Sequence, residues 1–130
     1  MKKIAYIFLI FSVFSASAQT TSSEIHATAD EMPVPPGGYD AFYKYVGRSI
    51  QVPGDAIKYH LTGEAIVKFI VSEDGTISIL KVLSGVAGCP NCDKEAIRLV
   101  RNYPGKWTPA KIGGKPVKAY CEIPIRFDSR

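Results

Sequence analysis

Histidine, cysteine and long apolar runs are scarce in this 130-residue chain, and each scarcity removes a class of function. The two histidines, His26 and His60, are far apart, so no paired-histidine zinc site can be assembled from local spacing. With so few histidines a Ser–His or Cys–His nucleophilic pair is also hard to build. The chain has no glycine-rich phosphate loop following a strand and no nucleophile elbow. The neighbouring carboxylates Glu73 and Asp74 fall in a turn segment, where solvation accounts for them. A formal net charge of +4 is mild, and the basic residues are scattered along presumed solvent faces. No concentrated basic face is available for nucleic acid. The composition therefore predicts neither a catalytic centre, a cofactor, a metal nor a small-molecule substrate.

What is present begins with an export signal. Met1-Lys2-Lys3 is a short positive region, and Ile4 to Phe14 is apolar apart from Ser12. Ser15-Ala16-Ser17-Ala18 then offers small residues to a signal peptidase, which places cleavage between Ala18 and Gln19. The run is about half of the ~20 residues needed to span a bilayer. A cleaved signal peptide over residues 1–18 and a periplasmic mature chain are expected; the alternative is an inner-membrane anchor facing the periplasm. No cysteine follows the cleavage point to carry a bacterial lipid anchor. The remainder suffices for one domain.

Residues 19–37 are predicted as a flexible leader rich in Ser, Thr and Pro, and residues 38–130 as the folded domain. Gln19 to Glu31 has no apolar period, and Met32-Pro33-Val34-Pro35-Pro36-Gly37-Gly38 resists regular structure. A helix follows from Tyr39 or Asp40 to about Ile50, with Asp40 as its cap candidate, Phe42, Val46 and Ile50 at helical spacing, and Tyr39 and Tyr45 beside them assigned with Phe42 to core packing. Glu64 to Val71 and Thr76 to Leu83 form a hairpin around Ser72-Glu73-Asp74-Gly75, where Gly75 supplies a positive φ. The return strand changes phase after Ile77, so that Leu80 and Val82 face inward, and a β-bulge accounts for it. A second helix spans about Asp93 to Tyr103, with Ala96, Val100 and Tyr103 inward and Lys94, Arg98 and Arg101 toward water. Trp107 to Ile112, the Gly113-Gly114 turn and Val117 to Phe127 make a second strand–turn–strand unit. In the last strand Val117, Ala119, Cys121, Ile123, Ile125 and Phe127 share one face, and Lys118, Tyr120, Glu122, Pro124 and Arg126 the other. Pro124 lacks a ladder donor, which marks this strand as an edge. The fold class is α+β: a small antiparallel sheet of about three strands with two helices on one face.

Three cysteines complete the inventory. Cys89-Pro90-Asn91-Cys92 precedes a helix whose N-terminus can lower a thiolate pKa, a spacing that suits a thiol–disulfide exchanger. An exported thiol–disulfide redox protein using Cys89 and Cys92 is thus the alternative function from a different class. A structural short-loop disulfide between them, with Cys121 reduced in the core, is the simpler outcome in an oxidising compartment. Pairing of Cys92 with Cys121 is the other arrangement.

Taken in order, the motifs resemble the C-terminal domain family of TonB, the energy-transducing protein of Gram-negative bacteria. Met32-Pro33 with Pro36-Gly37-Gly38, Gly63-Glu64-Ala65-Ile66-Val67-Lys68-Phe69 and Glu73-Asp74-Gly75-Thr76-Ile77 carry the first half of the likeness. Cys92-Asp93-Lys94-Glu95-Ala96, Trp107-Thr108-Pro109-Ala110, Gly114-Lys115-Pro116-Val117 and Ile123-Pro124-Ile125-Arg126-Phe127 carry the second. The resemblance implies a non-enzymatic module that binds the TonB box of outer-membrane transporters by adding a strand beside its own last strand. Mapped here, the receiving edge is Lys118, Tyr120, Glu122, Pro124 and Arg126. Other Ton-system proteins, or a second copy of the chain, are further partners the resemblance admits. Full-length TonB retains an N-terminal membrane helix and a long Pro-rich spacer, whereas this chain is expected to lose its leader and has a spacer of about a dozen residues.

Overall fold

The structure, a computed structural model, describes residues 24–129; the expected signal peptide and its cleavage point fall outside the described residues. In chain order the elements are α1 (Gly38–Ser49), α2 (Gly54–Lys58), β1 (Gly63–Val71), β2 (Ile77–Ser84), α3 (Pro90–Asn102), β3 (Ala110–Ile112), β4 (Lys115–Val117) and β5 (Ala119–Phe127). The α+β expectation holds, with the short α2 added to the two predicted helices. Among the described residues no helix is long and apolar enough to cross a membrane.

Helix α1 forms where the apolar spacing places it, and it buries Phe42 and Val46. Its start differs from expectation. Asp40 does not cap; the N-cap is Gly37 at φ 77°, and Asp40 instead lies in the first turn, where a negative charge favours the helix dipole. Helix α3 begins three residues earlier than the sequence predicts. Pro90 occupies a first-turn position that needs no amide donor, and the Cys89 Sγ accepts from the Cys92 amide at 3.2 Å. Leu99 is fully buried with Ala96 and Val100.

Strand β1 is central in a three-stranded antiparallel sheet of order β2-β1-β5. Its alternation is the physical basis of the core: Ala65, Val67, Phe69 and Val71 are buried, while Ile66, Lys68 and Ile70 are half-covered. Cys121, Ile123, Ile125 and Phe127 of β5 lie on the same face, and α1, α3 and Trp107 close over it. The β2 ladder breaks register twice, between Ile66 and Val67 and between Lys68 and Phe69 of its partner. The phase change expected after Ile77 therefore occurs after Ile79, since Phe69 pairs with Ile79 and Val67 with Val82. The side chain of Leu80 is not among those described.

The second strand–turn–strand unit needs a larger correction. Residues Ala110–Ile112 and Lys115–Val117 form a two-stranded sheet of their own, and β5 joins β1. Nine consecutive pairs, from Gly63 with Phe127 to Val71 with Ala119, run without a register shift. Apolar surface decides this: pairing with β1 gives the alternating face of β5 a full core to cover, which a three-residue strand cannot offer.

The described part of the leader is docked through its backbone. Val34 exchanges amide hydrogen bonds with Thr108 at 2.8 and 3.0 Å, and Glu31 with Lys111 at 2.9 and 3.1 Å. Pro33 and Pro35 are buried, with the Tyr39 hydroxyl donating to the Pro33 carbonyl and the Tyr103 hydroxyl to that of Pro36. The proline-rich segment thus folds against the domain without forming a regular element.

One buried carboxylate ties the helices. Glu95 accepts from Arg98 and, at 2.6 Å, from the Gln51 amide, while Arg98 also donates to the Ser49 carbonyl at 3.0 Å. The arginine expected to face water is thus engaged. Burial pushes the Glu95 pKa up, but the Arg98 and Gln51 hydrogen bonds outweigh it and hold the carboxyl below its ordinary range. A lowered folded-state pKa stabilises the fold above the unfolded carboxylate value of about 4.3, and that contribution is lost as pH falls through the folded value. Urea midpoints measured from pH 6 down to pH 3 are expected to fall at the acid end, and Glu95→Gln should flatten that limb.

A candidate peptide-binding edge

The outer edge of β5 is where the predicted partner residues lie, and its backbone polarity follows from one contact. The Tyr120 amide donates to the His26 carbonyl at 3.0 Å, and the His26 amide donates to the Lys118 carbonyl at 2.9 Å, forming a parallel bridge. Tyr120 therefore directs its backbone away from β1. Alternation then turns Glu122, Pro124 and Arg126 outward as well, while Cys121, Ile123 and Ile125 face the β1 ladder. Proline is tolerated at position 124 because the donor it lacks would point away from β1.

The five predicted residues thus share one edge but not one condition. Lys118 precedes β5, and its carbonyl is taken by the leader, as is the Tyr120 amide. Glu122 and Arg126 are exposed, and among the described residues no other strand pairs with this side of β5. The Pro124 carbonyl receives a long contact from the Tyr43 hydroxyl at 3.4 Å. On the solvent face Glu122 lies opposite Lys68 and Arg126 opposite Glu64, favourable cross-strand charge pairs. Lys68 nevertheless turns to the Tyr120 ring, 4.4 Å from its centroid.

Sequence reasoning missed the residues that flank this edge. It assigned Tyr39 to the core and did not single out Tyr43, yet the two are 39% and 41% exposed and stack on each other at 6.5 Å beside β5. Their i,i+4 spacing, offset from Phe42 and Val46, is the signal that could have found them. Tyr39 lies 3.9 Å from the Cys121 Sγ, and burial followed by that neighbour's charge drives its phenol well above the ordinary tyrosine range. Burial likewise pushes the Cys121 thiol up, so both groups stay neutral near pH 7. His26 holds the start of the edge through its bridge to β5.

Cys89 and Cys92 form a disulfide with a sequence separation of 3, and Cys121 is a buried free thiol. Both bridged sulfurs belong to fully buried residues, which keeps them from attack by an exchanging thiolate. Closing so short a loop constrains the unfolded chain by about 2 kcal/mol. Cys89→Ser with Cys92→Ser is expected to lower Tm by roughly 10 °C. A calorimetric melt checks this. Among the described residues no cluster of His, Cys, Asp or Glu could hold a metal.

Compared with known proteins, residues 50–129 match the family model described as Gram-negative bacterial TonB protein C-terminal. No curated protein and no solved structure matches the chain.

Proposed function

The chain belongs to the family of Gram-negative bacterial TonB protein C-terminal domains, and from that premise we propose that it binds the TonB box of outer-membrane transporters by strand addition to β5. Domains of this family are periplasmic, non-enzymatic protein-interaction modules that engage outer-membrane transporters. The observation that carries the reading is the contrast between the two edges of β5. Its inner edge runs in unbroken register with β1, and among the described residues its outer edge from Glu122 to Arg126 has no strand beside it.

The opposite edge of the sheet is less suited to the task. Strand β2 carries two register shifts, and bulges of this kind twist an edge away from a further partner. The straight β5 edge spans about 17 Å at ~3.4 Å per residue, room for a short extended peptide. Main-chain hydrogen bonds would supply affinity and alternate side chains selectivity. Because a flexible peptide must be ordered on binding, micromolar affinity is expected, about −8 kcal/mol. Titrating TonB-box peptides into isotope-labelled protein should shift the amides of Tyr120 to Phe127. Shifts confined to the Cys89–Cys92 loop, with β5 silent, would falsify the reading.

A further inference from the structure

We propose that the leader is a constituent of the peptide site: with Tyr39 it forms a groove over Cys121 and Glu122 that takes one apolar side chain of the added strand. This rests on the reading that the β5 edge accepts a strand, and it assigns that strand a register and a selectivity.

The groove begins where the leader leaves β5. His26 is the last leader residue paired with the strand, and the leader regains backbone pairing only at Glu31, against Lys111. Between those points lies a groove of about 380 Å³, walled by Ala27 and Met32 on the leader side and by Tyr39 and Cys121 on the helix side. Tyr120, Glu122 and Lys68 form its outer rim. It therefore opens directly beside the first outward backbone groups that the leader does not occupy.

The walls are held in place before any peptide arrives. Tyr39 is fixed by its hydrogen bond to the Pro33 carbonyl and packs edge-on to Trp107 at 6.4 Å. Met32, 46% exposed, is pinned between the bridged Glu31 and the buried Pro33. An exposed methionine on a fixed backbone presents an adaptable apolar surface.

Strand alternation selects the side chain. A residue of the added strand level with Cys121 points to the same face as Cys121, into the space between Met32 and Tyr39. Its neighbours level with Tyr120 and Glu122 point to the solvent face. The inner walls present an aromatic ring, a thioether, a methyl group and a neutral thiol, which fit an aliphatic side chain such as Leu, Ile or Val. The chain itself shows that extended backbone seats on this edge, since His26 does so at the adjoining position. His26 also sets where the incoming strand must stop, which fixes its register.

The test uses the full chain, a TonB-box peptide and the variants of that peptide with each residue replaced in turn by Ser. One Ser replacement is expected to weaken binding roughly tenfold, the effect of losing one half-buried aliphatic side chain. Ala27→Trp fills the groove from an exposed position, so the fold should be retained. It should weaken the parent peptide by a similar factor and leave the sensitive Ser peptide unchanged. If every Ser peptide binds within twofold of the parent while the β5 amides still shift, the groove inference is overturned and the strand-addition reading stands. If no peptide shifts the β5 amides, that reading itself fails. Tighter binding by Ala27→Trp, or by His26→Pro, would make the leader a competitor for the edge and overturn the proposal.

Discussion

Gly75→Ala is expected to lower the unfolding free energy by at least about 3 kcal/mol, although the residue lies in the hairpin turn between β1 and β2. Gly75 has φ +83°, a conformation that costs an L-residue roughly 1–2 kcal/mol by itself. A Cβ built there would come within 2.2 Å of the Trp107 carbonyl oxygen and 3.3 Å of its carbon. Those are backbone atoms, so no rotamer change relieves the clash. Trp107 is also the residue whose amide donates to the Gly75 carbonyl at 2.9 Å. To make room it must withdraw from a nearly closed pocket, where it packs edge-on to Phe69 at 5.1 Å and Phe42 at 6.1 Å. Cavity and strain terms then add to the backbone cost. Trp107 is the chain's single tryptophan, so its fluorescence reports the site during urea unfolding. Gly113→Ala is the control: its φ is also positive, at +58°, but nothing lies within 4 Å. It should cost about 1 kcal/mol, and equal losses for the two variants would contradict the docking of Trp107 on the turn.

Glu122→Pro is expected to weaken TonB-box binding about a hundredfold, or ~2.7 kcal/mol, while leaving the fold in place. The Glu122 amide shares the outward parity of Tyr120, so proline there removes a donor from the receiving edge and none from the β1 ladder. The lost hydrogen bond accounts for about 1 kcal/mol. The ring, standing where an added strand must approach, accounts for the rest. With Pro124 already donorless, only Arg126 would still offer an amide along the free stretch. Tyr120→Ala and Arg126→Ala should weaken binding far less, because strand addition draws much of its affinity from the main chain. Circular dichroism should show near-native stability for Glu122→Pro, and isothermal titration should show the loss. Unchanged affinity would place the peptide elsewhere.

Much of this molecule is determined locally, and the sequence shows it. The spacing of Phe42 and Val46, the Asp74-Gly75 turn and the alternation of Ala119 to Phe127 each depend on residues two to four positions apart. The Cys89–Cys92 bridge is local in the same sense. The missing donor of Pro124 marked an edge strand without any knowledge of its neighbours. Only the tertiary structure decided which strand β5 pairs with, because that depends on two segments about fifty residues apart in the chain matching their apolar faces. The same holds for the leader. No periodicity announces that His26, Glu31 and Val34 dock, since each is held by backbone groups that Lys118, Tyr120, Lys111 and Thr108 present. The positions of Tyr39 and Tyr43 beside β5, rather than within the core, follow from how α1 is turned on the sheet. A side chain's helical spacing fixes its face of the helix; what that face meets is set by packing across the chain.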